Sequence, residues 1–135
     1  MKKKVILIDT HIFLWALGRK VSQRATDFLN DTESNDFLLS HVSAWEIAIK
    51  FGSGKLRLPA NPEIFVPDRV NRGRLKYLAI DLQHVLTVYS LPAVHRDPFD
   101  RLLISQSTIE DIPILTADPI FSKYKIKTIS FDAIS

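Results

Sequence analysis

Hydrophobic residues along this chain form short continuous runs that alternate with helix-like stretches. Residues 5–8 are an unbroken run of Val, Ile and Leu, the pattern of a strand covered on both faces of a parallel sheet. Helix-like stretches follow at about 10–17 and 22–30, with Ser22 as the expected N-cap. Further strands are predicted at 37–40, 77–80, 113–116 and near 127–129. Further helices are predicted at 43–51, 82–89 and 98–109, together with one that ends near residue 72 and a short turn after residue 118. This alternation predicts one three-layer α/β/α domain over residues 1–135 with a mostly parallel central sheet.

The composition indicates a globular protein and excludes several kinds of site. With 46% hydrophobic and 24% charged residues, the chain is expected to be globular. It has no cysteine, which excludes disulfides, thiolate zinc sites and a cysteine nucleophile and is typical of a cytoplasmic protein. The first apolar run breaks at Asp9, too early for a signal peptide, and no stretch approaches the ~20 apolar residues of a membrane span. A net charge of +3 mildly favours a polyanionic partner.

Acidic residues follow the predicted strands at positions far apart in the chain. In open parallel α/β sheets, ligands bind beyond the carboxyl ends of the strands. We expect five acids at that edge: Asp9 after the first strand, Glu46 in the first turn of the next helix, Asp97 and Asp100 around the start of the 98–109 helix, and Asp118 after the 113–116 strand.

Each of these acids also has a purely structural interpretation. Asp9 can cap a helix, Ser43 and Glu46 have the spacing of a capping box, and Asp97 and Asp118 each precede a proline as N-caps do. Four carboxylates converging on one edge are nevertheless hard to explain as caps alone. Such a group raises the pKa of its members unless a cation neutralises it, and hard oxygen ligands without a histidine pair select Mg²⁺ or Mn²⁺. A cation of this kind activates water and stabilises charge at phosphorus, which suits phosphodiester hydrolysis.

Four segments of the sequence resemble the PIN domain family, and more narrowly the VapC-type toxin ribonucleases of bacterial toxin–antitoxin pairs. They are Leu-Ile-Asp-Thr-His at 7–11, Ser-Ala-Trp-Glu-Ile-Ala-Ile-Lys at 43–50 followed by Gly-Lys-Leu at 54–56, His-Arg-Asp-Pro-Phe-Asp-Arg-Leu-Leu at 95–103, and Leu-Thr-Ala-Asp at 115–118. Their order and spacing extend over essentially the whole chain.

The resemblance implies a function and a set of site residues. The acidic quartet of the family corresponds to Asp9, Glu46, Asp100 and Asp118, and its hydroxyl positions near the metal to Thr10 and Thr116. Asp97 either binds the metal through water or only caps the helix. Arg101 matches a basic position that would touch the scissile phosphate, with a surface ion pair as the alternative. The resemblance further implies a Mg²⁺ cofactor that Mn²⁺ can replace, an RNA substrate, a cognate antitoxin and a homodimer.

Two other functions remain as alternatives. A phosphatase that uses Asp9 as its nucleophile needs a second Asp two residues later, and that position is His11. A catalytically silent RNA-binding or scaffold module would use the acids only as helix caps. Metal-dependent turnover separates these alternatives. The densest basic stretch, at 68–76, is a candidate RNA-tracking surface, although charge runs are usually solvated faces.

Overall fold

A five-stranded parallel sheet forms the centre of the molecule, which we describe from a computed structural model over residues 2–16 and 21–134. The strands are β1 (Lys4–Ile8), β2 (Asn35–Ser40), β3 (Lys76–Leu78), β4 (Ile114–Thr116) and β5 (Thr128–Ser130), and their order in the sheet is β3-β2-β1-β4-β5. The strand order therefore reverses between β1 and β4. In open α/β sheets, such a switch point is where a crevice for ligands forms.

Helices connect the strands. They are α1 (Gln23–Asn30), α2 (His41–Gly52), α3 (Pro62–Arg72), α4 (Leu82–Thr87), α5 (Pro98–Glu110) and α6 (Phe131–Ile134). A π-helical turn spans Ile12–Ala16, and 3-10 turns span Val88–Ser90 and Pro119–Lys123. Of the helix predicted at 10–17, residue 17 lies outside the described residues. Of the described helices, none is both long and apolar enough to span a membrane.

Two hydrophobic cores lie on opposite faces of the sheet. Ile6 and Ile8 of β1 pack into one core with residues of α1 and α3, whereas Leu7 packs into the other with residues of α5. Because successive side chains of a strand point to opposite faces, β1 is buried on both sides. This arrangement confirms the predicted three-layer α/β/α fold.

The start of α2 differs from the sequence prediction. The helix begins at His41, directly after β2, and its N-cap is Ser40, whose Oγ accepts the N–H of Val42 at 3.0 Å. Ser43 and Glu46 therefore do not form the predicted capping box, and Glu46 lies in the second turn rather than the first. The prediction was wrong because Ser40 and Ser43 are both favoured N-cap residues, and Glu46 gives Ser43 the spacing of a capping box.

Candidate active site

Asp9 lies at the switch point of the sheet. Ile8 of β1 pairs with Leu115 of β4, so the next residues, Asp9 and Thr116, leave the sheet side by side. The Asp9 side chain is 2% exposed; its Oδ1 accepts the N–H of Ile12 at 2.7 Å, and its Oδ2 accepts the hydroxyl of Thr116. Burial raises the pKa of Asp9, these two hydrogen bonds act in the opposite direction, and the charge of Asp118 raises the pKa further.

Asp118 stands beside Asp9 at the same edge. Its backbone N–H donates to Thr116 Oγ1 at 3.0 Å, and its carboxylate accepts the N–H of Ile120 at 3.0 Å. The interpretation as an N-cap is therefore confirmed. The same side chain lines an open groove of about 410 Å³ with Asp9, His11 and Trp15, so the cap also borders a space that a ligand could enter.

Glu46 and Asp100 belong to a second group of acids, between α2 and α5. The Glu46 side chain is buried at 2% exposure, and its Oε2 accepts a hydrogen bond from Lys50 Nζ at 2.5 Å. Its other oxygen, Oε1, is buried without a hydrogen-bond partner among the described residues. Leaving a buried polar atom unpaired costs free energy, so this oxygen is a candidate ligand atom.

Asp100 is held by a histidine. His95 Nε2 lies 2.8 Å from Asp100 Oδ2, and the ligand atoms of His95, Asp97 and Asp100 lie within 4.8 Å of one another. Burial raises the pKa of Asp100 to about 6, the hydrogen bond from His95 acts in the opposite direction, and the charges of Asp97 and Glu46 raise the pKa further.

Asp97 is the N-cap of α5. Its Oδ1 accepts the backbone N–H groups of Phe99 at 2.8 Å and Asp100 at 3.0 Å, as the Asp-Pro sequence indicates. Capping does not remove it from the acidic group, because its carboxylate also contributes to the field at Asp100 and at Lys50.

The predicted acids thus form two neighbouring groups rather than one tight cluster. Asp9 and Asp118 lie at the ends of β1 and β4, and Glu46, Asp97 and Asp100 lie between α2 and α5. Within the described ranges, the sets of three or more His, Asp or Glu ligand atoms within 4.8 Å of one another are His95–Asp97–Asp100 and Asp81–His84–Glu110, so no such set combines the two groups. Burial is also a larger cause of the raised pKa values of Asp9 and Asp100 than the mutual repulsion expected from the sequence.

The two predicted threonines connect these groups to the scaffold. Thr10 Oγ1 donates to Ser43 Oγ at 2.8 Å, which ties the end of β1 to α2. Thr116 joins β4 to Asp9 and also accepts the backbone N–H of Asp118. Both residues are buried, and of the two hydroxyl groups that of Thr116 contacts the acids directly, whereas that of Thr10 contacts α2.

Arg101, the predicted phosphate contact, is engaged by the segment that precedes α5. Its Nη atoms donate to four backbone carbonyls and lie near the hydroxyl of Tyr124, at distances of 2.8 to 3.4 Å. The carbonyls are those of Val88, Leu91, Pro92 and His95. The contacts favour a structural role over phosphate binding, since the guanidinium fastens the 88–95 segment to α5. A surface ion pair, the sequence-based alternative, is not what the structure shows either.

Lys50 lies among the predicted acids, although the sequence pattern of acids did not point to it. It follows Glu46 by four residues, and side chains at this spacing meet on one face of a helix. Its hydrogen bond with Glu46 raises the pKa of Lys50, and the charges of Asp97 and Asp100 add to the effect. Lys50 therefore places a fixed positive charge beside three of the predicted acids.

The basic stretch at 68–76 is largely engaged within the chain. Arg72 pairs with Asp68, Lys76 pairs with Asp36, and Arg69 donates to the carbonyls of Phe13 and Leu14. These contacts weaken the interpretation of this stretch as an RNA-tracking surface.

The PIN domain family matches residues 6–127, and the chain belongs to this family. Ribonuclease VapC16 of Mycobacterium tuberculosis is 39% identical over 75 residues, a stretch that covers 51% of this chain and 53% of that relative. The aligned part thus spans about half the length of the relative.

Two solved structures have the same fold. VapBC2 from Rickettsia felis, bound to a promoter DNA fragment, superposes with a TM-score of 0.73 at 13% identity, over 93% of this chain and 98% of that chain. DNA-bound VapBC from Salmonella typhimurium superposes with a TM-score of 0.71 at 16% identity, over 96% of this chain and 99% of that chain. At these identities the likeness establishes the fold.

Proposed function

We propose that the chain is a divalent-metal-dependent endoribonuclease of the VapC type and the toxin of a toxin–antitoxin pair. The observation that supports this most strongly is the pair of buried carboxylates, Asp9 at the switch point of the sheet and Glu46 in α2, with Glu46 Oε1 unpaired among the described residues. Membership of the PIN domain family, the ribonuclease relative and the VapBC structures support the same function.

The residues present fit a hard divalent cation. Asp9 is a buried carboxylate and Asp100 a half-buried one, both with raised pKa values, and Glu46 has an oxygen without a hydrogen-bond partner among the described residues. Their donor atoms are oxygens, which Mg²⁺ and Mn²⁺ prefer over softer metals. We propose that the cation binds between the two acidic groups, held by Asp9, Asp100 and Asp118, with Glu46 and Asp97 contributing from α2 and α5. Coordinated water would bridge the separation between the groups, since Mg²⁺ usually keeps several of its waters. When bound, the cation would supply activation of the attacking water and stabilisation of the charge that develops at phosphorus.

The protein side chains would contribute orientation and charge. Thr116 and the N–H of Ile12 fix the two oxygens of Asp9, so one carboxylate direction is set before any ligand binds. His95 fixes Oδ2 of Asp100 in the same way. Lys50 places an ammonium group next to Glu46, where it would attract a phosphate of the backbone. Preorganised groups of this kind act in a partly water-excluded site, where electrostatic interactions are stronger than in bulk water.

The test of this proposal is an RNA cleavage assay of the purified chain with and without divalent metal. Asp111→Asn is a suitable control for acid-to-amide variants, because Asp111 is an exposed C-cap in the left-handed region, which Asn also tolerates. A silent RNA-binding module would bind RNA in this assay but would not cut it at any metal concentration.

We also propose a cognate antitoxin, whose tail packs beside α2 and presents an Arg or Lys to the acids. Trp45 and Ile49 of α2 are 50% and 45% exposed, which offers an apolar surface next to Glu46. Guanidinium forms bidentate bonds to carboxylates and stays charged at physiological pH. Co-expression with the product of the adjacent gene tests this. If no adjacent product binds or inhibits the chain, the toxin assignment fails and the nuclease assignment stands.

A homodimer and a cytoplasmic location complete the proposal. The helix α4 and the turn after it expose a row of apolar side chains: Leu82, Val85, Leu86 and Tyr89. Apolar patches of this kind mark protein–protein interfaces. Light scattering of the wild type and of Leu86→Lys tests the dimer, which the charged variant should convert to monomer.

A further inference from the structure

A second groove begins at the acidic site and differs from it in charge. Its volume is about 500 Å³, and it lies between α2, α3 and the segment that connects them. Thr10 and Glu46 line its inner end, and four basic residues, Lys50, Lys55, Arg57 and Arg69, line the rest. Glu46 is the one acid among its described lining residues, and it is paired with Lys50. The groove is therefore positively charged where it leaves the acids.

The basic residues of this groove differ in whether their side chains are engaged within the protein or exposed. Arg69 donates to the carbonyls of Phe13 and Leu14 and lies over the ring of Phe65 at 4.7 Å, so it supports the wall. Lys55 and Arg57 are exposed side chains that follow α2. Their charges can thus meet an anion that enters the groove, at low cost in desolvation.

The remaining lining of the groove is apolar. Leu14, Leu56 and Leu58 contribute to it, together with the indole of Trp15, which is 43% exposed. Trp15 and His11 also line the groove beside Asp9 and Asp118. Trp15 therefore borders both the acidic site and the basic groove, where its exposed ring can contact a strand that extends from one to the other.

We propose that this basic groove binds the part of a single-stranded RNA that flanks the cleavage site. Lys55 and Arg57 would contact its phosphates, and Trp15 would stack on a base. This inference rests on the proposed nuclease function, since it names the path of the substrate into the same site. A groove that combines cationic residues with an exposed aromatic ring is the arrangement that single-stranded nucleic acids require, because both phosphates and unstacked bases must be bound. A double helix keeps its bases stacked inside and would leave the apolar floor and the indole unused.

The test measures RNA binding, so that it does not depend on cleavage. A fluorescein-labelled single-stranded RNA of about 12 nucleotides is titrated in EDTA at several salt concentrations. Each phosphate contact contributes about 0.7 to the slope of log affinity against log salt for single strands. Lys55→Ala combined with Arg57→Ala should therefore lower the slope by about 1.4 and weaken binding about tenfold at low salt. Trp15→Ala should weaken binding about tenfold with an unchanged slope, because stacking involves no counterion release.

Matched controls remove two charges or one exposed ring elsewhere. Lys125 and Lys127 precede β5, at the opposite edge of the sheet, and their double alanine variant should keep the wild-type slope. Tyr77 of β3 is exposed but is not a lining residue of the groove, so Tyr77→Ala should bind normally. Unchanged melting temperatures exclude misfolding as the cause.

Three results would overturn the inference. The first is an unchanged salt slope for the Lys55 and Arg57 double variant, and the second is the same change in slope for the Lys125 and Lys127 double variant. The third is a duplex of the same length that binds as tightly as the single strand and is weakened as much by the groove variants. If cleavage is metal-dependent and one of these results is found, the groove assignment alone fails. If no cleavage occurs but the groove variants lose binding as expected, the nuclease proposal fails and the groove remains an RNA site.

Discussion

Thr116 donates its hydroxyl hydrogen to the carboxylate of Asp9 across the point where the sheet order reverses. The two residues are 107 positions apart in the chain and adjacent at the ends of β1 and β4. The same hydroxyl oxygen accepts the N–H of Asp118. One small side chain thus sets the position of two proposed metal ligands, which a single substitution can test.

Thr116→Val should raise the pKa of Asp9 further, because the Thr116 hydrogen bond lowers it in the wild type. The acid limb of the pH–rate profile should then move to higher pH. The fold should lose on the order of 1 kcal/mol as a buried hydrogen bond is removed. Thr116→Ser, which keeps the hydroxyl, is the control and should retain the wild-type profile. An identical profile for the valine variant would show that this bond does not position Asp9 for the reaction.

The metal-free protein should become less stable as the pH rises from about 4 to about 6. The folded pKa of Asp100 is raised from 3.8 to about 6. An acid whose folded pKa exceeds its unfolded pKa binds its proton more tightly in the native state, so stability is present below the unfolded pKa and is lost as pH rises through the folded one. At 1.36 kcal/mol per pKa unit, the rise from 3.8 to about 6 at Asp100 accounts for a loss on the order of 3 kcal/mol. Asp9 shifts in the same direction.

Urea unfolding at several pH values in EDTA measures this effect. Asp100→Asn should make the free energy of unfolding nearly independent of pH over this range. Asp97→Asn should keep most of the wild-type decrease in the free energy of unfolding. Added Mn²⁺ should restore stability above pH 6, because the cation binds the ionised carboxylates of the native state. A wild-type curve that is flat over this range, or one that Mn²⁺ does not move, would contradict the proposed metal site.

Asp100→Asn should reduce activity more than Asp97→Asn. Asp97 already accepts two backbone N–H groups as the N-cap of α5, a task that Asn also performs well. Asp100 is instead buried between His95 and the other acids. Single-turnover rates on one RNA at saturating metal compare the two variants. A larger loss for Asp97→Asn would reverse the assignment of ligand and cap.

Arg101→Ala should destabilise the fold by on the order of 2 kcal/mol, because removing the guanidinium leaves backbone carbonyls of the 88–95 segment without their charged partner. Arg96→Ala, at an exposed neighbouring position, should change stability little. Thermal melts of both variants provide the measurement. If Arg101→Ala instead leaves the melting temperature unchanged and raises KM, the phosphate-binding role expected from the sequence is restored.

Much of the fold could be predicted from the sequence, because its strands are continuous apolar runs and its helices begin at recognisable caps. Asp9 and Asp118 were correctly placed at one sheet edge, since parallel strands bring their carboxyl ends together. The start of α2 was misplaced, because Ser40 and Ser43 are both favoured N-caps and Glu46 gives Ser43 the spacing of a capping box.

The contacts of Arg101 could not be predicted from the sequence. The contacts of Arg101 depend on how the 88–95 segment folds back over α5, a tertiary arrangement that no local pattern encodes. Burial is the largest cause of the raised pKa values of Asp9 and Asp100, and it depends on how the helices pack over the sheet. By contrast, the spacing of Glu46 and Lys50 was visible in the sequence and is the signal that would have identified Lys50.

The most direct test of the account is cleavage of RNA by the purified chain as a function of divalent metal. We expect cutting with Mg²⁺ or Mn²⁺, none in excess EDTA, and recovery when Mn²⁺ is added back, because the buried carboxylates need a hard cation that also activates water. Asp9→Asn should abolish cutting at every metal concentration, and Asp111→Asn should cut like the wild type. Undiminished cleavage in excess chelator, or full activity of Asp9→Asn, would contradict the account.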